Sequence, residues 1–388
     1  MLALLIYCYA NGLSSRRIER ATYRDIGVRF IAADRHPDHA TIAEFRRDNR
    51  EAFEAAFKVV LLMARDLGLL TLGTVSIDGS KIDANASKVR SVRYDRATEL
   101  VDQIDQDVAE LLAQAEAADA EDAADPQALP QEIGRRQALR DKLAAAAARL
   151  EAEARERAAA DEAAYEEKLA AHEARNRRGR APKPPDTAPR PDEQVNLTDP
   201  DSRLMRKSKR HEYRQAYNAQ AVVDADGSQL VLATNVSRSP ADGPTFAATI
   251  EALCATLGPP MTVLGDAGFA SGEAVAEIEA RAIEVLVAVS RPEAGRRYDF
   301  RPPPGEDAKP PPEPKAAWRR KMQEKMQTDD AKAKYKKRKS TVEPVFGILK
   351  NVLGFTRFRL RGLANVKTEW LLATLAYNCK RLCTLTAA

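Results

Sequence analysis

The sequence lacks any apolar run that approaches the roughly 20 residues a helix needs to cross a bilayer. It also has few thiol and imidazole side chains, since four cysteines and four histidines are scattered over 388 positions. Cys379 and Cys383 lie one helical turn apart, but no nearby pair completes a zinc site. No histidine lies beside a serine or cysteine nucleophile. These absences argue against a membrane protein, a zinc protein and a triad hydrolase, and isolated thiols favour a reducing cytoplasm.

The net charge of +4 is small, but its distribution along the chain is uneven. From Lys315 to the C-terminus the chain carries 18 Lys and Arg against 5 Asp and Glu, so the residues before Lys315 are acidic overall. A basic block of this kind favours a polyanion as partner. A solvated, highly charged helix is the alternative that composition alone leaves open.

Residues 1–70 are predicted to form an all-helical domain. The apolar opening MLALLIYCYA lacks the basic start and the cleavage site of a targeting peptide, and it ends at Asn11-Gly12, a typical helix stop. Two short basic helices after tight turns resemble a helix-turn-helix module. Small helical bundles with surface arginines are common, so this pattern leaves DNA binding open. The candidate phosphate contacts are Arg16, Arg17, Arg46 and Arg47.

Residues 92–200 differ from the rest of the chain in being rich in Ala, Glu and Arg, with few large apolar side chains. This composition predicts a helical, coiled-coil-like insertion, broken near Asp125-Pro126 and Leu129-Pro130. The insertion ends in RAPKPPDTAPRP, a semi-rigid linker. A second Pro-rich connection covers residues 301–314.

Residues 71–91 and 201–388 alternate between strand and helix patterns. A short strand, TLGTVSID, is predicted to end at Asp78, and a buried strand, MTVLGD, to end at Asp266. Without the insertion, the order is strand, hairpin, helix, strand, helix, strand, helix. This order predicts an α/β, ribonuclease-H-like catalytic domain: a mixed five-stranded sheet flanked by helices, with its first and fourth strands adjacent and parallel. Both aspartates then meet at the carboxyl ends of these strands, and Glu343 reaches them from a helix.

Three carboxylates at one point suit the cleavage of DNA phosphodiester bonds. Such chemistry needs two hard cations about 3.5–4 Å apart that clamp the attacking and leaving oxygens. Mg²⁺ prefers oxygen ligands, so carboxylates from separate elements suit it better than histidine or cysteine. Each residue also has an ordinary interpretation: Asp78-Gly79 as a turn, Asp266 as a helix cap, and Glu343 as one charge on an exposed helix.

Several segments resemble insertion-sequence transposases of the DDE type, in the eleven-eighty-two group related to the group with Tyr-Arg-Glu-Lys signatures. SIDGSKIDANAS is similar to the first-aspartate segment of that family, and LGDAGFAS to its second-aspartate motif. The glutamate block matches YKKRKSTVEPVFGILKNVLGFTRFRLRGLANVKTEWLLATLAYNCKRL. ERATYRDIGVRFIAADRHPDHATIAEFRRDN looks like the N-terminal helical domain. The resemblance covers nearly the whole chain apart from the insertion and the second Pro-rich connection.

The resemblance implies that Asp78, Asp266 and Glu343 bind two Mg²⁺ ions, for which Mn²⁺ can substitute. The signature positions fall on Tyr335, on Arg338 or Lys339, on Glu343 and on Lys350. Lys339 keeps the strict spacing to Glu343 and Arg338 lies one residue further away, so both stay candidates for a phosphate contact. Lys350 lies two turns beyond Glu343 on the same helix face.

The predicted activity is metal-dependent cleavage of transposon-end DNA, followed by strand transfer into target DNA. The partners implied are double-stranded DNA and a second copy of the chain, in the bacterial cytoplasm at the nucleoid. Family members carry a further N-terminal stretch before the segment that begins here at Met1, so an inactive or domesticated DNA-binding derivative is the alternative. A structural coiled-coil protein would explain only residues 92–178.

Overall fold

The structure, a computed structural model, describes residues 1–13, 15–121, 128–174, 180–206, 211–289 and 316–387. The predicted connection 301–314 and the predicted break at Asp125-Pro126 lie outside the described residues. The chain forms two compact units. The first comprises Met1–Asn85, Met205–Glu212 and Ala216–Ala388, and the second comprises Ala86–Leu204 and Tyr213–Gln215. The functions assigned to the predicted domains 1–70, 71–91, 92–200 and 201–388 stay predictions.

Helices and strands alternate in the order that the sequence patterns predict. The described α-helices are α1 (Leu2–Ala10), α2 (Ser15–Arg24), α3 (Ile26–Ile31), α4 (His39–Asp48), α5 (Arg50–Asp66), α6 (Tyr94–Glu121), α7 (Ala128–Ala174), α8 (Phe246–Leu257), α9 (Gly272–Glu279), α10 (Ala317–Gln327), α11 (Asp329–Gly347) and α12 (Leu363–Thr386). The described strands are β1 (Thr74–Asp83), β2 (Ser91–Arg93), β3 (Gln194–Asn196), β4 (Arg203–Met205), β5 (Arg214–Asp224), β6 (Val231–Ser237), β7 (Thr262–Gly265) and β8 (Glu284–Val287).

The N-terminal helices begin and end where local chemistry dictates. The Asp38 carboxylate accepts a hydrogen bond from the backbone N–H of Thr41 at 2.7 Å, so Asp38 caps α4. The first helix ends before Gly12, whose φ of 69° suits glycine. Along α5, apolar residues at helical spacing are buried in the core, and they are Phe53, Phe57 and Leu61.

The sheet has the predicted mixed topology. Its order is β4-β5-β1-β7-β8, and β6 also pairs with β5. Strands β5 and β6 run antiparallel to their neighbours, whereas β1, β7 and β8 are parallel to one another. The first and fourth long strands, β1 and β7, are therefore adjacent and parallel, which confirms the predicted arrangement. The short strand β4 adds a sixth member to the five long strands.

Strand β1 is longer than its sequence pattern indicates. It continues from Thr74 through Asp78 to Asp83, so Asp78 lies in the middle of a ten-residue strand and the prediction of a strand ending there is wrong. The parallel pairing with β7 stops at Ser76, whereas the antiparallel pairing with β5 continues to Asp83. Asp78 therefore stands just beyond the parallel pairing, at the carboxyl end of β7.

Helix α12 forms the centre of the core on one side of the sheet. It packs against β6 and against α1 and α5. Trp370 is fully buried, stacks on Phe346 with ring centroids 5.9 Å apart, and donates its indole N–H to the backbone oxygen of Gln220 at 2.9 Å. Across the described residues, no helix combines the length and the apolar character needed to cross a membrane.

The second unit is an antiparallel helical hairpin, as the composition of the insertion predicts. Arg136 on α7 pairs with Asp107 on α6 at 2.9 Å, and Arg140 pairs with Asp105 at 2.9 Å. The apolar contacts are small because many of the buried residues are alanine. Helix α7 begins at Ala128, so Pro130 lies in its first turn, where the missing N–H costs no helical hydrogen bond.

Candidate active site

Two aspartates meet at the carboxyl ends of the central parallel strands. Asp266 directly follows β7, and its Oδ1 accepts the N–H of Gly268 at 2.7 Å, so it also caps a short 3₁₀ turn. Asp78 Oδ1 accepts the N–H of Gly79 at 2.7 Å. Gly265 allows close packing at this point, because a Cβ there would lie 3.0 Å from Val287 Cγ1 and 3.6 Å from Ile77 Cγ2. The strands thus bring both carboxylates to one edge.

Glu343 reaches the same region from α11, which packs against β1 and β7. An arginine connects it to the first aspartate. Arg338 Nη1 lies 3.7 Å from Asp78 Oδ2, and Arg338 Nη2 lies 3.3 Å from Glu343 Oε1. Arg338 is largely buried and Glu343 is half exposed. Of the two cations that the spacing leaves open, Arg338 therefore lies at the carboxylates, whereas Lys339 is exposed.

The helix around Glu343 is locally irregular. Pro344 lies inside α11 and has no N–H to donate to the carbonyl of Ser340. That carbonyl instead accepts a hydrogen bond from Gln229 Nε2 at 3.0 Å. A π-helical turn, Ile348–Val352, follows α11 and carries Lys350. The ammonium group of Lys350 contacts the hydroxyl of Ser80, two residues beyond Asp78. Lys350 therefore lies near β1, two residues along that strand from Asp78, in a π-helical turn rather than on a continuation of α11.

Burial dominates the electrostatics of Asp78. It raises the pKa of the Asp78 carboxyl from 3.8 to about 6, and the nearby carboxylates of Asp266 and Asp242 act in the same direction. The N–H of Gly79 and the guanidinium of Arg338 oppose this shift only in part. The negative charges at this edge therefore repel one another, an arrangement that a bound cation would stabilise.

The raised pKa of Asp78 predicts a pH dependence for the metal-free protein. Because the folded-state pKa lies above the unfolded value, this group stabilises the fold fully below about pH 4 and ceases to do so above about pH 6. The free energy of unfolding falls by about 3 kcal/mol at most over this pH range. We expect Asp78→Asn to remove this decrease in chemical denaturation from pH 4 to 7 with EDTA. Parallel profiles for the variant and the wild type would contradict this assignment.

Tyr335 lies beside Asp266, whereas three of the predicted arginines are exposed on the N-terminal helices. The Tyr335 hydroxyl donates to the backbone oxygen of Gly265 at 3.1 Å, which places the ring beside Asp266. Arg16 and Arg17 are exposed on α2. Arg47 is also exposed and pairs with Asp48 and Glu44. A role of these residues in DNA contact stays a prediction.

Arg46 does not lie on the surface, so its predicted contact with DNA is wrong. Only 3% of its side chain is exposed, and Nη1 donates to the hydroxyl of Tyr9 at 2.5 Å. The same nitrogen lies 4.0 Å from Glu369 Oε1, and Glu369 is fully buried. The face of α4 that carries Arg46 also carries Ile42, which is buried in the core. Arg46 therefore connects α1, α4 and α12 inside the protein.

The prediction missed a fourth carboxylate, Asp242, which lies between β6 and α8. Its Oδ1 accepts a hydrogen bond from Asn218 Nδ2 at 2.6 Å and from Gln220 Nε2 at 3.4 Å. Lys81 Nζ lies 3.5 Å from the same oxygen. A signal was available, because Asn218 and Gln220 are two residues apart in the apolar strand β5 and so point to one face. Asp242 itself, followed by Gly and Pro, is typical of a turn.

The donor atoms of this edge suit a hard divalent cation, since all are oxygens. Asp78 and Asp266 lie together, and the buried Asn218 Oδ1 has no hydrogen-bond partner among the residues that the structure describes. Glu343 is engaged by Arg338, however. Within the described part of the chain, no three His, Cys, Asp or Glu side chains converge closely enough to hold a metal ion. The two aspartates therefore fit a metal ligand set, and Glu343 would join it only after leaving Arg338.

The strand order and the acidic residues just beyond the parallel pairing of β1 with β7 define a ribonuclease-H-like domain. Half of the chain, residues 186–379, matches the family model described as Transposase DDE domain. Residues 1–48 match a second model, described as Transposase domain (DUF772). The chain matches no curated protein and no solved structure. The chain belongs to the DDE transposase family of insertion sequences. Members of this family act on DNA and use divalent metal ions.

Proposed function

We propose that this transposase cleaves DNA at the ends of an insertion sequence and joins the released 3′ ends to target DNA. The observation that carries the proposal is the meeting of Asp78, Asp266 and Arg338 at the carboxyl end of β7, just beyond its pairing with β1, with Glu343 bound to the same arginine. Separate elements supply these groups, as phosphodiester chemistry at a metal site requires.

Asp78 and Asp266 would hold the divalent metal, with Glu343 completing the ligand set. Two Mg²⁺ ions, or Mn²⁺ in their place, would supply activation of the nucleophile and neutralisation of charge on the transferred phosphate. The residues of the chain position the DNA. Arg338 stands beside Asp78 and can exchange its carboxylate contacts for a DNA phosphate. Lys350 contacts Ser80, which lies on β1 two residues beyond Asp78. Arg338 and Lys350 bind the phosphate backbone of DNA without reading the base sequence.

The remaining predicted contacts extend this interface. Tyr335 lies beside Asp266, and Lys339 is exposed one residue beyond Arg338 on α11. Arg16, Arg17 and Arg47 are exposed on the N-terminal helices. We assign them to the phosphates of double-stranded transposon ends and target DNA, with two copies of the chain acting on paired ends.

A cleavage assay tests this function. The purified chain is incubated with DNA duplexes that carry the terminal repeats flanking its own gene, with Mg²⁺, Mn²⁺ or EDTA. We expect nicks at the repeat boundary with either metal and none with EDTA. A duplex with scrambled repeats serves as the control. Binding of the repeats without any cleavage would support the inactive DNA-binding derivative instead.

A further inference from the structure

The loop between β6 and α8 places Asp242 against both aspartates. A Cβ at residue 268 would lie 2.8 Å from Asp242 Oδ2 and 2.9 Å from Asp266 Oδ1. A Cβ at residue 79 would lie 2.5 Å from Asp242 Oδ1. Asp242 therefore fills the space that Gly79 and Gly268 leave open, on the face of β1 opposite to the Asp78 side chain, and its Oδ2 lies near Asp266 Oδ1. The Asp78-Gly79 pair is not a turn, since both residues lie within β1.

The two oxygens of Asp242 have different surroundings. Oδ1 accepts hydrogen bonds from Asn218 and Gln220 and lies near the ammonium group of Lys81. Within the described residues, Oδ2 accepts no hydrogen bond and faces Asp266 across Gly268. The side chain also does not cap the 3₁₀ turn that begins at Gly243. The side chain is 17% exposed, so Oδ2 can accept an additional ligand.

Asn218 supplies a second, independent observation. Its side chain is fully buried, and its Oδ1 has no hydrogen-bond partner among the described residues. The orientation of the amide is set by its Nδ2, which donates to Asp242 Oδ1 at 2.6 Å. Oδ1 would lie 2.9 Å from a Cβ at residue 79, so it faces the segment that carries Asp78. A buried carbonyl oxygen without a partner destabilises the fold unless a ligand satisfies it.

The hydrogen-bonding partners hold Asp242 in a fixed position. Gln220 donates to it and accepts the hydroxyl proton of Thr245 at 2.8 Å. Asn218 and Gln220 project from the same face of β5, the strand that pairs with β1. The carboxylate is therefore oriented by a rigid strand, as a metal-binding group needs to be.

We propose that Asp242 is a fourth metal-binding carboxylate of this active site, and that it holds a divalent cation between its Oδ2 and Asp266, with the Asn218 carbonyl oxygen as an additional oxygen ligand. The proposal rests on the proposed function, which places divalent ions at Asp78 and Asp266. It goes beyond the three-carboxylate set because it assigns a ligand from the loop before α8. Oxygen ligands of this kind suit Mg²⁺ and Mn²⁺.

Binding of Mn²⁺ to the full-length, metal-stripped chain, measured by electron paramagnetic resonance without DNA, tests the assignment. We expect Asp242→Asn to weaken binding of one ion at least about tenfold. Asp226→Asn is the matched control, because it removes the same charge from a partly exposed carboxylate that binds Lys337 and the N–H of Thr74. If Asp242→Asn bound Mn²⁺ with wild-type affinity and stoichiometry while Asp78→Asn lost Mn²⁺ binding, only the assignment of Asp242 as a ligand would be overturned. Absence of Mn²⁺ binding by the wild type would overturn the proposed metal site as well.

A second variant gives a readout that a structural role would not change. Asp242→Cys replaces a hard oxygen ligand with a soft thiolate, which prefers Cd²⁺. We expect this variant to bind Cd²⁺ at least about tenfold more tightly than the wild type, whose four cysteines set the baseline, while its Mn²⁺ affinity falls. Circular dichroism verifies the fold of both variants. A folded Asp242→Cys with unchanged preference between Cd²⁺ and Mn²⁺ would exclude Asp242 as a ligand.

Discussion

Asp78→Asn is expected to reduce metal-dependent cleavage of transposon-end DNA by about a thousandfold or more. The amide keeps the shape of the side chain but removes a charged oxygen ligand from the carboxyl end of the β1–β7 pair. A metal ion contributes several kcal/mol to stabilisation of the transition state, which corresponds to a change of this size. Rates of single-strand nicking with Mg²⁺ measure the effect, and Glu343→Gln should show the same loss.

Asp83→Asn is a closely matched control for this prediction. Asp83 and Asp78 lie on the same strand, both have 23% of the side chain exposed, and each lies 3.7 Å from an arginine. Asp83 pairs with Arg357, away from Asp266, so its variant should retain cleavage within a few-fold. DNA binding by Asp78→Asn should also persist, because the substitution removes a negative charge. Cleavage at the wild-type rate by Asp78→Asn would exclude it from the metal-binding set.

Arg46→Ala is expected to lower the free energy of unfolding by about 3–5 kcal/mol. The substitution leaves the carboxylate of Glu369 fully buried without its cation and removes the donor to Tyr9. Glu369 also accepts the N–H groups of Arg359 and Leu360 at 2.9 Å, so the network fixes the chain before α12 as well. Denaturation by urea measures the loss.

Arg47→Ala provides the adjacent control. Arg47 is 59% exposed and pairs with exposed carboxylates, so its removal should cost less than about 1 kcal/mol. The double variant Arg46→Ala/Glu369→Gln should regain part of the stability, because the unpaired buried charge is gone. A cost for Arg46→Ala no greater than that for Arg47→Ala would show that the buried pair does not stabilise the fold.

The identity and order of most elements were predictable from local patterns. The Asp226-Gly227 turn predicts the β5–β6 hairpin, and Ser271 predicts the start of α9, which its side chain caps. The parallel contact of β1 with β7 also followed from that order. The sequence alone therefore predicts that Asp78 and Asp266 lie together, because residues near the carboxyl ends of adjacent parallel strands face the same edge of the sheet.

Individual side chains were less predictable, because their surroundings come from distant segments. The spacing around Glu343 leaves Arg338 and Lys339 equally plausible, whereas packing of α11 on β1 brings only Arg338 to Asp78. Arg46 and Arg47 are neighbours in a basic helix, and only the docking of α4 against α12 shows that the first is buried.

By itself the sequence determined the element types, the α/β order and the edge of the sheet where the acidic residues collect, because periodicity and turn chemistry act over a few residues. It also carried the family resemblance that the match to residues 186–379 confirms. The tertiary structure alone decided that β1 continues past Asp78, that Arg338 bridges Asp78 and Glu343, and that Asp242 lies near Asp266. These outcomes depend on which segments far apart in the chain pack together, and no local pattern encodes that contact.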